Sequence, residues 1–276
     1  MDKIYMQNFG MIVTNRCNLD CAHCMRGCKN NKDMSYEVIK KSLDQFVAIG
    51  NLAICGGEPT LALAVLEKII NYIVDNHILL EQFTVVINGT NYVDEFMKLL
   101  EYIDNYISYF KFKGNGKQTM FNISYDKYHM SEIERLNLKE RYYANLRKFK
   151  ESKFFGEINY LPDNVILFRE GNAANLPKES TEELKETPIV VTYPGKSNLF
   201  KKKGLCNIGP LMTVNVDGII TECDASLESQ DGKFNFGNVF DNTFEEIALK
   251  RGKIIKPRCW NRETSSAMSK FLLKKK

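Results

Sequence analysis

Apolar and polar positions along the chain alternate between short apolar runs and longer stretches with helical spacing. Met11-Ile12-Val13-Thr14 predicts a buried first strand. Ser35 then stands where an N-cap belongs, ahead of Val38, Ile39, Leu43, Phe46 and Val47 on one helical face, and Gly50 holds the place expected of a C-terminal cap. The unit recurs in Leu52–Cys55 with the helical pattern after Pro59 (Leu63, Val65, Leu66, Ile69, Ile70, Ile73), and again in Phe83–Ile87 with Tyr92–Ile107. A fourth strand over Met120–Ser124 precedes one long amphipathic helix from about Ser131 to Lys153, and further β segments are expected at Glu157–Leu161 and Val165–Phe168. Such alternation implies a parallel sheet with right-handed crossovers, either an open doubly wound sheet or a full or partial barrel.

In parallel α/β architectures ligands gather at the carboxyl ends of the strands, so the residues after each strand carry the candidate chemistry. The first strand is followed by Cys17-Asn18-Leu19-Asp20-Cys21-Ala22-His23-Cys24, spaced C-x3-C-x2-C. After the second comes Gly56-Gly57-Glu58-Pro59, after the third Asn88-Gly89-Thr90, and after the fourth Ser124-Tyr125-Asp126-Lys127-Tyr128-His129. Three thiolates on so short a loop can hold a cubane [4Fe-4S] cluster by three irons, leaving the fourth iron without a protein ligand. A structural zinc site would be closed by four protein ligands, and no fourth Cys or His follows at zinc-finger spacing; His23 lies inside the loop and Cys28 beyond it. Two glycines let the backbone come close to a ligand, and Glu58 can accept from an ammonium. Taken alone, the same tetrapeptide is a strand-to-helix turn with Pro near the first helical position. His129 is a single imidazole in a loop, which suits a surface hydrogen-bonding group as well as an active-site one.

Composition adds bounds rather than chemistry. A chain of 276 residues buries a substantial core in one or two domains. Its 38 Lys and Arg against 34 Asp and Glu give a net charge of +4, too mild to point to nucleic acid. The N-terminal residues lack a signal-peptide pattern, and no stretch approaches the ~18 apolar residues of a membrane span, so a cytoplasmic protein without a membrane partner is expected. The eight cysteines are then expected as thiols or metal ligands. The basic segment Lys139–Lys153 and the run Lys201-Lys202-Lys203 read as solvated faces, and Lys274-Lys275-Lys276 as a frayed tail.

The cysteine loop and Gly56–Pro59, in this order and separation, resemble the radical S-adenosylmethionine enzymes. The resemblance selects the partial barrel, a (β/α)6 TIM-like one over residues 1–190. It implies a [4Fe-4S] cluster on Cys17, Cys21 and Cys24, with the amino and carboxylate groups of S-adenosylmethionine chelating the open iron and Gly56, Gly57 and Glu58 holding the amino group. His23 stands where the family places an aromatic ring near adenine, while Asn88, Ser124 and Asp126 lie at strand ends suited to ribose, carboxylate and adenine; from the residues alone, Asn-Gly and Asp-Lys are also common turn formers. The implied reaction begins when a low-potential donor such as flavodoxin or ferredoxin reduces the cluster. The cofactor is then split into methionine and a 5′-deoxyadenosyl radical, which removes a hydrogen atom from substrate.

From about 188 to 203 the pattern changes to loop and short β segments, so a second unit is expected over residues 191–276. Cys206 is followed by eleven residues, Gly218, four more and Cys223, and alternating apolar residues about Asp217-Gly218 predict a hairpin that brings the two cysteines together. Phe236-Gly237-Asn238-Val239 comes next, then Thr243-Phe244-Glu245-Glu246, a capping box opening a short helix that ends near Gly252 ahead of Cys259. This hairpin and helix resemble the auxiliary-cluster extension called SPASM or, when shortened, twitch. A full SPASM extension has a later run of cysteines, whereas here Cys259 stands alone and position 262 is Arg262. The resemblance therefore implies one auxiliary iron–sulfur cluster on Cys206, Cys223 and Cys259; from the residues alone they are three thiols in a β-rich cap.

Cys28 is a candidate hydrogen donor to a substrate radical or a displaced cluster ligand, and Cys55 reads as a small core residue. The expected substrate is a ribosomally made peptide. Dehydrogenation of a small alcohol, carbohydrate or nucleotide is the alternative within the same superfamily. A non-catalytic iron–sulfur electron carrier is the alternative outside it, and Gly56–Glu58 argues against that, since a carrier needs no ammonium site.

Overall fold

The computed structural model describes residues 3–27, 30–110, 117–185, 190–192, 204–206, 212–222, 225–251 and 253–254. The first strand, β1 (Ile4–Ile12), begins well before Met11. Asn8 and Gly10 break the apolar run locally, yet both lie in register with the next strand, opposite Asn51 and Ala53, so sheet pairing overrides the local pattern. Helix α1 (Tyr36–Leu43) is capped as predicted, with the Ser35 hydroxyl accepting from Val38 N at 3.3 Å.

That helix stops at Asp44 rather than running on to Gly50, and Phe46, Val47 and Gly50 belong to β2 (Phe46–Cys55). An apolar run can satisfy a helical face and a buried strand equally well, and the ladder from Ile4↔Phe46 to Ile12↔Cys55 decides for the strand. A 3-10 turn over Pro59–Leu61 leads into α2 (Leu63–Asp75), whose Val65, Leu66, Ile69, Ile70 and Ile73 are buried. Next come β3 (Leu79–Ile87), α3 (Asp94–Tyr109), β4 (Thr119–Tyr125), α4 (Lys127–Arg135), α5 (Lys139–Glu151) and β5 (Phe155–Tyr160).

The single helix predicted from Ser131 to Lys153 is therefore two. Asn137 adopts φ 55° between them, a left-handed turn that asparagine tolerates, and Asp126 starts α4 early by accepting from the amides of Tyr128 and His129, both at 2.9 Å. Strands β1 to β5 lie side by side in chain order and all run parallel. Together they form the partial barrel, open among the described residues, with the cysteine loop at its carboxyl edge.

Beyond it, β6 (Leu167–Phe168) pairs with β7 (Thr181–Glu182) in a separate two-stranded sheet. The C-terminal elements are β8 (Val190–Thr192), β9 (Gly204–Cys206), β10 (Met212–Val214), β11 (Ile219–Glu222), α6 (Leu227–Asp231), β12 (Gly237–Asn238), α7 (Phe244–Arg251) and β13 (Lys253–Ile254). The predicted hairpin is β10–β11, with Gly218 at φ 80°, and β10 runs parallel to β1 through Gly10↔Thr213 and Met11↔Val214. It extends the main sheet on the side of β1 away from β2.

The capping box forms too: Thr243 Oγ1 accepts from Glu246 N at 3.1 Å and the Glu246 carboxylate from Thr243 N at 2.8 Å. Phe244, just inside α7, meets Phe9 of β1 and Phe46 of β2 with ring centroids 5.0 and 5.2 Å apart, which seats the C-terminal helix on the barrel core. Among the described residues no helix is long and apolar enough to cross a membrane.

Candidate functional site

The loop after β1 is pinned before its first cysteine. Thr14 donates to Asp33 at 2.6 Å, and the Arg16 guanidinium grips the same carboxylate with two hydrogen bonds of 2.8 and 2.6 Å. Cys21 is buried while Cys17 and Cys24 are half-buried, and Cys24 N closes a turn on Cys21 O at 3.0 Å. Burial, joined by Cys17, Cys24, Asp126 and Glu132, pushes the Cys21 thiol well above the ordinary range. Negative charge is therefore disfavoured here until a cation compensates it.

Gly56–Glu58 closes on this loop backbone to backbone, with Gly57 N donating to Thr14 O and Glu58 N to Arg16 O, both at 2.7 Å. A Cβ on Gly56 would lie 2.6 Å from Thr14 O, and one on Gly57 would overlap the Arg16 carbonyl. The two glycines thus admit residues 14–16 of the chain itself, a use that the sequence does not announce. Glu58 is wholly buried; its Oε1 accepts from Thr60 N at 3.0 Å and Thr60 Oγ1 at 2.6 Å, and its Oε2 from Asn88 N at 2.7 Å.

The ends of β3 and β4 complete the arrangement. Asn88 Nδ2 donates to Asn18 Oδ1 at 2.8 Å and lies 3.9 Å from Cys17 Sγ. Asp126 Oδ2 is 3.4 Å from His23 Nε2, and the His23 ring stacks on Tyr128 with centroids 5.2 Å apart. Burial lowers the His23 pKa while Asp126 opposes the shift. Ser124 contributes its carbonyl, which accepts from the Tyr142 hydroxyl at 3.1 Å.

His129, expected in a loop, is buried in the first turn of α4 with Nδ1 3.8 Å from Cys21 Sγ and Nε2 2.9 Å from Asn88 O. Asn15, Cys17, Cys24, Arg26, Gly27, Gly56, Gly57 and Leu227 line a small cleft between the cysteine loop and the diglycine segment.

Comparison with known proteins decides what this geometry belongs to. Residues 11–165, more than half of the chain, match the family model of the Radical SAM superfamily. The chain belongs to that superfamily.

An uncharacterized protein of Methanocaldococcus jannaschii is 40% identical over 75 residues, and the match spans about a quarter of each protein, 26% of either. Among solved structures, anSMEcpe with bound AdoMet and Cp18Cys peptide aligns over 90% of this chain and 82% of its own, at 17% identity and a TM-score of 0.46. Streptococcus suis SuiB bound to precursor peptide SuiA aligns over 90% of this chain and 64% of its own, at 11% identity and a TM-score of 0.36.

As a radical SAM protein the chain uses a [4Fe-4S] cluster and S-adenosylmethionine, and two of the three loop thiols, Cys17 and Cys24, line the cleft beside Gly56 and Gly57. A cubane gives each thiolate its own iron, so the three thiols need only ring a shared space. Among the described residues, no three His, Cys, Asp or Glu side chains converge on one ion-sized point. Asn15 also lines the cleft, and its Oδ1 is a buried acceptor without a hydrogen-bond partner among the described residues.

Two anchors of the cysteine loop escaped sequence reasoning. Asn172 N donates to Cys24 O at 2.9 Å, while its Nδ2 reaches Asp20 Oδ1 at 3.0 Å and Cys21 O at 3.1 Å. Glu132 of α4 accepts from Asp20 N at 2.9 Å. Gly171, at φ 54° and packed against Gly27, was the available hint of a tight approach.

The C-terminal segment abuts the same loop: Arg26 Nη1 donates to Ala225 O at 2.8 Å, Leu227 N to Arg26 O at 3.2 Å, and Ser226 N to Glu170 Oε2 at 2.8 Å. Cys206 closes β9, whereas Cys28, Cys223 and Cys259 lie outside the described residues. Cys55, read as a core thiol, is half-buried with Arg26 Nη2 4.0 Å from its sulfur.

Proposed function

We propose that this chain is a radical SAM enzyme that modifies a ribosomally made peptide in the cytoplasm, using electrons from flavodoxin or ferredoxin. Its first cluster sits on Cys17, Cys21 and Cys24, and an auxiliary cluster on Cys206, Cys223 and Cys259. His23, Gly56, Gly57, Glu58, Asn88, Ser124 and Asp126 surround S-adenosylmethionine.

The observation that carries the enzymatic reading is the pair of 2.7 Å backbone hydrogen bonds joining the cysteine loop to Gly56–Glu58 around one cleft. When bound, the cluster and cofactor supply reductive cleavage to methionine and a 5′-deoxyadenosyl radical that abstracts hydrogen from substrate. The chain supplies the setting for that chemistry. Asn88, Asn172 and Glu132 hold the loop's shape, and Leu19 N, 3.5 Å from Cys17 Sγ, offers the kind of sulfur hydrogen bond that tunes a cluster's potential. Burial of Cys21 keeps water from that side of the loop. The peptide reading is supported by the resemblance of the C-terminal hairpin and capping-box helix to the extension that many peptide-modifying members carry.

Anaerobically reconstituted protein given dithionite and S-adenosylmethionine should release 5′-deoxyadenosine, and the Cys17/Cys21/Cys24→Ala variant should not. Ribosomal precursor peptides should raise that release, whereas small alcohols, sugars and nucleotides should not. Stimulation by a sugar or alcohol alone would replace the peptide reading with small-molecule dehydrogenation, and an iron-loaded parent that releases none would make the chain an electron carrier.

A further inference from the structure

Strands β1 to β4 contain one charged residue, Glu81. Alternation puts Glu81 on the same face as Phe83, and the ladder joins Phe83 to Leu52 and Phe9. That face lies under the helices. Phe9 meets Phe244 of α7 at 5.0 Å between ring centroids, and Phe121 of β4 meets Phe96 of α3 at 5.8 Å and Phe149 of α5 at 5.2 Å. The opposite face, turned to the inside of the partial barrel, therefore receives no charge from these four strands.

The inner face is polar nonetheless. Asn51, Thr84 and Asn122 stand on it on successive strands, each half-buried and each two residues further along the ladder than the last. They form a diagonal that climbs toward the cysteine loop. The Thr84 hydroxyl donates to Asn51 Oδ1 at 3.4 Å, and Gly10 and Ala53, opposite each other in the ladder, keep the floor beside the diagonal low.

Asn122 is the highest of the three. It lies opposite Val86, two residues short of Asn88, and so about 7 Å below the level of the residue next to Cys17. Its amide has a fixed orientation. Glu157 N, which can only donate, meets Asn122 Oδ1 at 3.1 Å, and Gly156 makes room for that oxygen, since a Cβ there would overlap it. The amino end, Nδ2, remains as a donor on the inner face, with no acceptor among the described residues.

We propose that this inner face selects an uncharged stretch of peptide, and that Asn122 is a specificity-determining residue whose Nδ2 donates to a substrate carbonyl. The inference rests on the peptide reading given above and narrows it. A peptide backbone brings acceptor carbonyls and no net charge, whereas an ammonium, guanidinium, carboxylate or phosphate would leave water here without a counter-charge. A donor already held in place by a backbone N–H loses little freedom on meeting its acceptor.

The test is 5′-deoxyadenosine release from reconstituted protein given dithionite, S-adenosylmethionine and pools of short peptides, acetylated and amidated so that the ends carry no charge. One pool is uncharged, one carries Lys or Arg, and one carries Asp or Glu. In the parent the uncharged pool should raise release several-fold more than either charged pool. Asn122→Asp keeps the acceptor for Glu157 N and turns a carboxylate oxygen to the substrate in place of N–H. It should raise the half-saturating concentration of the uncharged pool about tenfold and move the preference to the basic pool. Asn51→Asp, isosteric and lower on the same face, should also move the preference to the basic pool. A charged pool that matches the uncharged one in the parent overturns the selectivity, and parental behaviour of Asn122→Asp overturns the role of Asn122. A parent that releases 5′-deoxyadenosine yet responds to no pool overturns the peptide reading; one that carries its cluster and releases none overturns the radical enzyme itself.

Discussion

Glu58 Oε2 accepts a hydrogen bond from Asn88 N at 2.7 Å, so the glutamate of the diglycine motif ties the loop after β2 to the carboxyl end of β3. Burial pushes the Glu58 carboxyl up, and the Thr60 hydroxyl and the Asn88 and Thr60 amides oppose that shift. Glutamine at this position turns an amide NH2 toward one of three donors. Glu58→Gln should therefore lose about 1–3 kcal/mol of folding stability in the cluster-free protein, the usual cost of one buried donor left unmet. A urea midpoint equal to the parent's would show that the bracket contributes nothing.

Gly57 is the most confined residue of that motif, since a Cβ there overlaps the carbonyl of Arg16. Gly57→Ala must push residues 14–16 aside and break the hydrogen bonds that Gly57 N and Glu58 N make to them. A loss of about 1–3 kcal/mol is expected from such overpacking, together with iron per chain well below the parent's. Full iron content at parental thermal stability would contradict the packing.

Glu132 links α4 to the cysteine loop through Asp20 N, and Arg135 holds its carboxylate below the ordinary 4.5, with burial opposing and the Asp20 amide assisting. A carboxylate with a depressed folded pKa stabilises the fold fully above the unfolded value and loses that contribution as pH falls through the folded one. The stability difference between parent and Glu132→Gln, under about 1 kcal/mol because Arg135 is largely exposed, should be present at neutral pH and disappear on acidification, as pH falls through the depressed pKa of the folded state. Urea titrations at neutral and acid pH would measure it, and a difference that grows on acidification would reverse the sign argued here.

Phe244 packs on Phe9 and Phe46, and its amide donates to Gln45 Oε1 at 2.8 Å. Phe244→Ala should cost about 3–5 kcal/mol, as large-to-small changes at buried aromatics do. Protease should then cut first near α7 and leave the β1–β5 barrel intact. Loss of the barrel at the same rate would mean that the two parts unfold together.

Much of this architecture was legible in the linear pattern. The strand–helix alternation, the Ser35 cap, the hairpin about Asp217-Gly218 and the Thr243–Glu246 capping box all depend on residues within a few positions of one another. Where a segment's pattern satisfied two answers, the sequence misled: Phe46 and Val47 fit a helical face but pair with β1, and the stretch from Ser131 to Lys153 is broken at Asn137.

The sequence by itself determined that three thiols share one loop, because cysteines seven residues apart at most stay together wherever the chain goes. It also determined that this loop follows a buried strand, because apolar runs must leave water. Only the tertiary structure decided which distant groups close on the loop. Asn172, Glu132 and His129 reach it from positions more than a hundred residues away, and Glu58 turns to Asn88 rather than to open space. Such partners leave no periodic trace, since a hydrogen bond between remote segments constrains two side chains and nothing between them.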